Sequence, residues 1–237
     1  MTVALILSGG VGARIGGNIP KQYISAGGRM IITYCLEMFA DHPKVDGIWI
    51  VAAPDHRDDI INECRRCGID EGVIKGFSTP GNTRQLSILN GLRDIDEYAE
   101  SQKAEDPVVI IHDAARPNLK ADFLDRCLDA IEGYDGVMPA IPMKDTVYQS
   151  MDGKSIDALL DRSVIYAGQA PELYRLGTYL KACERLMPDE ILKINGSTEP
   201  AVLAGLKVAV IPGDESNYKV TTKEDLERFI CEHTSIK

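Results

Sequence analysis

Short apolar runs alternate along this chain with longer stretches whose apolar residues recur at helical spacing. The runs predicted to be strands are residues 3–7, 47–53, 72–75, 107–111, 136–141, 164–168 and 207–211. The stretches predicted to be helices are residues 30–39, 56–67, 82–99, 121–131, 177–186 and 222–231. Such alternation is typical of βαβ units. It predicts an α/β fold with a Rossmann-like, mostly parallel twisted sheet and helices on both faces.

The alternation is interrupted after residue 142. Residues 143–163 are mostly polar, and a turn signal at Met151-Asp152-Gly153 divides them. We interpret this segment as a two-stranded arm that projects from the sheet, and docking on a second subunit would stabilise it. A solvated surface hairpin is the alternative. The remainder of the chain shows no repeat and no long linker, which predicts a single domain over residues 1–237 with a dimerisation arm at about 143–163.

Composition limits the class of partner. The 237 residues carry a formal net charge of −10, which argues against nucleic acid and against an anionic membrane as partners. No apolar run approaches the roughly 20 residues that a membrane span needs, and no signal peptide is visible. Cys64 and Cys67 form a CxxC pair without the second pair of a zinc site. We therefore expect reduced thiols and a cytoplasmic protein.

The loop after the first predicted strand carries the strongest chemical signal. Residues 8–22 read SGGVGARIGGNIPKQ, so five glycines surround Arg14, and Lys21 follows a proline. A strand that leads into such a loop commonly binds phosphate through backbone N–H groups and nearby cations. A dinucleotide site would need an acidic residue about 20 positions after Gly12, whereas Asp55 lies 43 positions after it. The Gly-Lys-Ser/Thr of a Walker loop is also absent, so what remains is a Gly-rich phosphate-binding loop closed by Pro20-Lys21-Gln22.

Six segments of the chain, in order, resemble the signature segments of one enzyme family. One of them is a second loop, which follows the strand predicted at residues 107–111. They are the first loop with Arg14 and Pro20-Lys21-Gln22, Gly81-Asn82-Thr83-Arg84-Gln85-Leu86-Ser87, His112-Asp113-Ala114-Ala115-Arg116-Pro117, Asp145-Thr146, Arg162, and Asn217-Tyr218-Lys219-Val220-Thr221-Thr222. Together they are similar to the 2-C-methyl-D-erythritol 4-phosphate cytidylyltransferases and the related ribitol-5-phosphate cytidylyltransferases. The resemblance implies a homodimeric nucleotidyltransferase that uses Mg²⁺ and couples CTP to a polyol phosphate, giving a CDP-polyol and pyrophosphate.

The resemblance also implies a role for each matched residue. Arg14, Lys21 and Lys219 would be catalytic, holding the triphosphate and stabilising the charge of the transition state. The nucleotide would be bound by Ser8, Gly9, Gly10, Gly12, Gly81, Asn82, Arg84, Ser87, Asp113, Ala114 and Arg116. Asp113 would be the Mg²⁺ ligand, and Thr146 and Arg162 on the arm would bind the polyol phosphate in the other subunit. No side-chain base is required, because the attacking phosphate is already ionised.

Two segments depart from the family pattern. Gln169-Ala170-Pro171-Glu172 stands where relatives carry Gln-Thr-Pro-Gln, and the Thr-Asp pair of the relatives is replaced within residues 194–199, INGSTE. Loss of a hydroxyl and a carboxylate would change the hydrogen bonds offered to the acceptor. The acceptor therefore stays open between methylerythritol 4-phosphate, ribitol 5-phosphate and another sugar or alcohol phosphate. A non-catalytic nucleotide-binding protein is the alternative from a different class.

Overall fold

The structure is a computed structural model that describes residues 1–10 and 19–234. Within these residues the strands are β1 (Thr2–Leu7), β2 (Ser25–Ala26), β3 (Arg29–Met30), β4 (Gly47–Val51), β5 (Ile74–Ser78), β6 (Val108–Asp113), β7 (Gly136–Pro142), β8 (Val147–Gln149), β9 (Ala158–Leu160), β10 (Tyr166–Gly168), β11 (Glu172–Arg175) and β12 (Val208–Pro212). The helices of the same residues are α1 (Ile31–Asp41), α2 (Pro54–Cys67), α3 (Arg84–Ser101), α4 (Ala121–Asp129), α5 (Leu176–Glu184), α6 (Glu199–Leu203) and α7 (Lys223–Thr234). Every predicted strand and helix has a counterpart.

The central sheet is mostly parallel, as predicted. Its strand order is β10–β7–β11–β6–β1–β4–β5, and β12 also pairs with β7. Strands β1, β4, β5 and β6 pair in parallel, whereas β10 and β11 run antiparallel to their neighbours. The register aligns Leu7 at the end of β1 with Val51 on one side and Asp113 on the other. The loops that follow these three strands therefore leave the sheet at the same edge, where α/β proteins bind their ligands.

Alternate residues of β1 point to opposite faces of the sheet. Ala4 and Ile6 belong to a core that α1, α2 and α4 cover, and Val3 and Leu5 belong to a second core that α3 and α5 cover. All four side chains are fully buried. A strand buried on both faces reads as a continuous apolar run, which is why its sequence pattern was so clear. The prediction of helices on both faces is confirmed.

The predicted arm is a two-stranded antiparallel hairpin. Strand β8 pairs with β9 in a register that aligns Val147 with Leu160. The Asp152 carboxylate closes the turn by accepting hydrogen bonds from the backbone of Lys154 and Ser155, each at 2.8 Å. The arm and the residues that follow it expose large apolar side chains: Tyr148, Met151, Ile156, Leu159, Val164 and Tyr166. Solvent-exposed apolar residues at this density mark a surface suited to a partner.

The sequence pattern missed strand β11, which lies between β6 and β7. Its four residues begin with Glu172 and end with Arg175, so they carry neither a long apolar run nor a clear alternation. Tertiary packing defines it instead, because Leu173 joins one core and Tyr174 the other. Strand β5 also begins two residues later than predicted. No helix in the described part of the chain is long and apolar enough to cross a membrane.

Candidate active site

A cavity of about 600 Å³ opens at the edge of the sheet where β1, β4 and β6 end. Its walls come from the first loop, from the turn before α3, from the end of β6 and from the segment before α7. The lining residues are Leu7, Gly9, Gly10, Lys21, Gln22, Val51, Gly81, Asn82, Thr83, Arg84, Ser87, Asp113, Ala115, Lys219 and Thr221. The volume lies within the range of small-molecule sites.

The first loop is held at its base by side chains from the turn that ends it. The Gln22 amide donates hydrogen bonds to the carbonyl groups of Ser8, at 2.6 Å, and of Gly10, at 2.8 Å. The Ser8 hydroxyl is buried and lies 2.8 Å from the Tyr23 hydroxyl, so Ser8 supports the loop from behind the cavity wall. Lys21 opens the same turn and reaches the cavity. The predicted residues Gly12 and Arg14 lie outside the described residues.

Two loops meet closely at this wall, and glycine makes their approach possible. A Cβ on Gly9 would lie 2.6 Å from the Pro80 side chain, which no real contact allows. A Cβ on Gly81 would lie 2.4 Å from the Cβ of Leu86. Backbone groups of both loops consequently border the cavity directly, without a side chain in between.

The turn before α3 is rigid because its hydroxyl groups bond to its own backbone. Thr83 caps the helix by accepting from the Leu86 N–H at 3.1 Å. The Ser87 hydroxyl accepts from the Gly81 N–H at 3.0 Å and donates to the Thr83 carbonyl at 2.9 Å. Asn82 stands exposed at the rim between these contacts. This arrangement presents a fixed row of polar groups to a flat ligand such as a nucleobase.

Asp113 is the electrostatic centre of the cavity. Its carboxylate accepts from the Lys219 ammonium at 3.0 Å and from the Arg84 guanidinium at 3.3 Å, and Nε of Arg116 lies 3.6 Å away. Burial by itself raises the pKa of Asp113, but the opposite effect of Arg84, Lys219 and Arg116 is larger, so the pKa of Asp113 lies below its usual value. The carboxylate is therefore ionised throughout the physiological pH range.

Arg116 and Ala114 support the cavity without lining it. The Arg116 guanidinium donates to the Asn217 carbonyl at 2.7 Å and joins the loop after β6 to the segment that carries Lys219. The Ala114 side chain is buried, and Ala115 occupies the wall instead. The sequence blocks contained these residues but gave no sign of which ones face the ligand.

His112 is buried beneath the same loop. Its Nε2 lies 3.0 Å from the Arg116 carbonyl, and because a carbonyl can only accept, this nitrogen carries the proton. Burial lowers the pKa of His112 to about 4, so the ring is neutral near pH 7. His112 thus holds the loop that carries Asp113 and does not face the cavity as a base.

Thr146 and Arg162 do not line the cavity of their own chain. Both side chains are exposed, and Arg162 donates to the Lys144 carbonyl at 2.6 Å at the base of the arm. A contact between these residues and the ligand would therefore have to come from a second subunit, as the resemblance implies.

The two departures from the family pattern meet one another behind the cavity wall. Ala170 is buried, and its carbonyl accepts from the Asn217 amide at 2.7 Å. Glu172 accepts from the Ser197 hydroxyl at 2.5 Å and from the Thr198 hydroxyl at 3.0 Å. None of the four lines the cavity. The expectation that these departures change the hydrogen bonds offered to the acceptor stays a prediction.

The lining of the cavity offers few protein ligands to a metal ion. In residues 1–10 and 19–234, no group of three or more His, Cys, Asp or Glu side chains could hold a metal ion. Asp113 is the one carboxylate among the described lining residues. Mg²⁺ usually binds through one or two carboxylates together with waters and substrate phosphates. The cavity therefore fits Mg²⁺ that arrives with a nucleotide, and it does not fit a metal held by the protein alone.

Comparisons with known proteins identify the family to which this chain is similar. The model of the family described as IspD, 2-C-methyl-D-erythritol 4-phosphate cytidylyltransferase, matches residues 2–231. A protein of that name from Geobacter metallireducens is 35% identical, with 97% of each chain covered, and one from Rubrobacter xylanophilus is 36% identical, with 94% of this chain and 91% of the relative covered. The crystal structure of 4-diphosphocytidyl-2C-methyl-D-erythritol synthase from Anaerococcus prevotii superposes with a TM-score of 0.81 at 25% identity, covering 98% of this chain and 95% of that chain.

Proposed function

The chain belongs to the 2-C-methyl-D-erythritol 4-phosphate cytidylyltransferase family of nucleotidyltransferases, and we propose that it transfers the cytidylyl group of CTP to 2-C-methyl-D-erythritol 4-phosphate. The predictions of family, fold class and enzyme class are confirmed. One observation carries the proposed reaction: Lys21, Lys219, Arg84 and Asp113 line a single cavity at the turn of residues 81–87, and Asp113 accepts hydrogen bonds from Lys219 and Arg84. Such a cavity offers positive charge to a triphosphate and fixed polar groups to a base.

The proposed chemistry is an in-line displacement at the α-phosphorus of CTP. A phosphate oxygen of the acceptor forms a bond to that phosphorus, the bond to the bridging oxygen of the β-phosphate breaks, and pyrophosphate leaves with the electron pair. The acceptor oxygen is already an anion, so no proton has to be removed, in keeping with the neutral and buried His112. Catalysis then consists of positioning and charge stabilisation. Lys21 and Lys219 both line the cavity and would supply that charge, and the family resemblance adds Arg14.

Mg²⁺ is the proposed cofactor, with Asp113 as its protein ligand. When bound, the ion would neutralise charge on the triphosphate. The three cations that now face Asp113 leave it ionised, as a magnesium ligand must be. Removal of free Mg²⁺ with EDTA should abolish turnover, and addition of excess Mg²⁺ should restore it.

We place the acceptor at a site shared between two subunits. Thr146 and Arg162 are exposed on an arm with large apolar side chains, and they lie away from their own cavity. Docking of that arm on a partner would bury the apolar residues and bring Arg162 to an acceptor phosphate. The six cysteines are reduced, which favours the cytoplasm as compartment.

The alternative functions have less support. A non-catalytic nucleotide-binding protein would not need Lys21, Lys219 and Asp113 together in one cavity, yet all three line it. A different acceptor was suggested by the departures at Ala170 and at residues 194–199. The matching family and the relatives reported above are named for 2-C-methyl-D-erythritol 4-phosphate, which favours that acceptor over another polyol phosphate.

The test is pyrophosphate release by the purified protein with Mg²⁺, CTP and a panel of acceptors. The panel contains the phosphates of methylerythritol, ribitol, glycerol and xylitol. We expect turnover with methylerythritol phosphate and a kcat/KM at least about 100-fold lower with the others, since lost polar contacts are costly. Preference for ribitol phosphate would overturn the acceptor assignment. CTP binding without turnover on any acceptor would support the non-catalytic alternative, and preference for ATP or GTP would overturn the role of residues 81–87.

A further inference from the structure

The carboxylate of Glu172 is buried at the start of β11, next to the cavity but outside it. Its hydrogen-bond partners are neutral hydroxyl groups. Ser197 lies 2.5 Å from Oε1, and Thr198 and Tyr174 each lie 3.0 Å from Oε2. A buried charge that is satisfied by hydroxyl groups alone is unusual, because desolvation of a carboxylate is costly. A carboxylate in this position therefore indicates that the charge of Glu172 has a function.

Hydrogen-bond chemistry fixes the direction of the contacts around Ser197. An ionised carboxylate can only accept, so the Ser197 hydroxyl donates its single proton to Glu172. A guanidinium can only donate, and Nη1 of Arg84 lies 2.8 Å from the same hydroxyl oxygen. Ser197 consequently accepts from Arg84 while it donates to Glu172. The charge on Glu172 determines which way the hydroxyl points.

The second terminal nitrogen of Arg84 is held by Asp113, which lines the cavity. Its Nη2 donates to Asp113 at 3.3 Å. The guanidinium is thus stretched between Ser197 and Asp113, which sets its plane at the wall of the cavity. Burial lowers the pKa of Arg84, but the carboxylates of Asp113 and Glu172 raise it more, so two negative groups share this cation.

We propose that Glu172 is a positioning residue that acts through Ser197 to orient Arg84 for nucleotide binding. The assignment rests on the proposed function, because it takes the ligand of the cavity to be CTP. Neutral side chains could fill the same space behind the wall, but they would leave the Ser197 proton free to turn away from Glu172. The carboxylate removes that freedom, and Arg84 keeps one orientation before the nucleotide arrives.

Two variants interrupt the chain of contacts, and a third serves as a matched control. Glu172→Gln keeps the shape but removes the charge, and Ser197→Ala removes the bridging hydroxyl while Glu172 stays. Tyr174→Phe removes a buried hydroxyl from the other carboxylate oxygen, which has no contact with Arg84. CTP affinity is measured by calorimetry and stability by thermal melting. We expect Kd for CTP to rise about tenfold in Ser197→Ala and about fivefold in Glu172→Gln, as for loss or weakening of a charge-assisted hydrogen bond.

The control separates positioning from simple support of the fold. Tyr174→Phe should lower the melting temperature as Ser197→Ala does, yet leave Kd for CTP within about twofold of wild type, since only the Oε1 side leads to Arg84. Equal loss of CTP affinity in both variants would overturn the proposal, because a general weakening of the wall would then explain it. Should Glu172→Gln fail to fold, Ser197→Ala and its comparison with Tyr174→Phe still decide.

A double-mutant cycle tests the route through Arg84. In an Arg84→Ala background, Glu172→Gln should change Kd for CTP by less than about twofold, because its target is gone. Full additivity of the two substitutions would overturn the proposal. The CTP affinity of wild-type protein tests the proposed function separately. If the wild type does not bind CTP, the nucleotide site itself is refuted. If the wild type binds CTP but the two substitutions are additive, only the role of Glu172 is refuted.

Discussion

The neutral imidazole of His112 leads to a prediction about how the stability of the protein depends on pH. Its side chain is fully buried under the loop that holds Asp113, and it packs against Phe39. The charged groups that face it are Asp113, which favours the imidazolium, and Arg116 and Lys219, which oppose it. Burial is the largest influence and lowers the pKa of His112 to about 4. Replacement by Gln keeps an N–H for the Arg116 carbonyl but removes the titration.

Proton linkage determines whether the free energy of unfolding rises or falls as the pH is lowered. Below about pH 6.5 the unfolded chain protonates this imidazole, whereas the folded protein does so only near pH 4. The unfolded state binds more protons in that interval, so His112 reduces the free energy of unfolding as the pH falls through it. The loss is about 2 kcal/mol between pH 7.5 and pH 5, approaches about 3 kcal/mol near pH 4, and stays constant at lower pH.

The assay is urea unfolding at several pH values from 7.5 to 5, with EDTA present so that no cation binds Asp113. Carboxylates titrate alike in wild type and in His112→Gln, so the difference between the two curves isolates His112. We expect the variant to lose about 2 kcal/mol less stability than wild type over this range. His56→Gln is the control, because that side chain is 34% exposed. Parallel pH curves for wild type and His112→Gln would refute a buried, neutral imidazole.

Further predictions concern charge, the arm and the thiols. Lys21→Ala should lower kcat for pyrophosphate release by about 100-fold or more without a change in melting temperature, whereas Lys75→Ala should match wild type; near-normal turnover would remove Lys21 from the reaction. Arg162→Ala should raise KM for the acceptor about tenfold but not KM for CTP, and the reverse result would place the arm at the nucleotide. A thiol reagent should label only Cys67 and Cys231 quickly in native protein. Burial raises the pKa of the other four thiols to about 11 or 12, and these are Cys35, Cys64, Cys127 and Cys183. Fast labelling of any of these four would contradict the prediction.

The site could be located from sequence because of a topological rule. Strands β1 and β6 are buried on both faces, so their apolar runs were readable, and parallel neighbours must end at one edge. That rule is sufficient to bring the first loop and Asp113 to the same edge of the sheet. Lys219 lies 106 positions after Asp113 along the chain, and only the resemblance connected the two.

The orientation of individual side chains could not be predicted. Ser8 and Arg116 stand in the matched blocks, yet both lie behind the wall, where they hold the loops by hydrogen bonds. Thr83 lines the cavity as the cap of α3. A block of sequence shows which segment borders a site, but the direction of each side chain depends on contacts with segments far away. Glu172 stood out only as a departure from the family pattern, and its contact with Ser197 could not be predicted because packing defines its strand.

The three cations around Asp113 differ in how firmly they are held, and this difference has a consequence for nucleotide binding. Arg84 is tied to Ser197 and Arg116 to the Asn217 carbonyl, so both arginines have a second anchor. Lys219 donates to Asp113 at 3.0 Å from a flexible four-carbon side chain. An incoming triphosphate competes with Asp113 for these cations, and the ammonium group can change partner at the lowest cost. We therefore expect Lys219 to move to the phosphates while the arginines stay, which would leave a carboxylate oxygen of Asp113 for the proposed Mg²⁺.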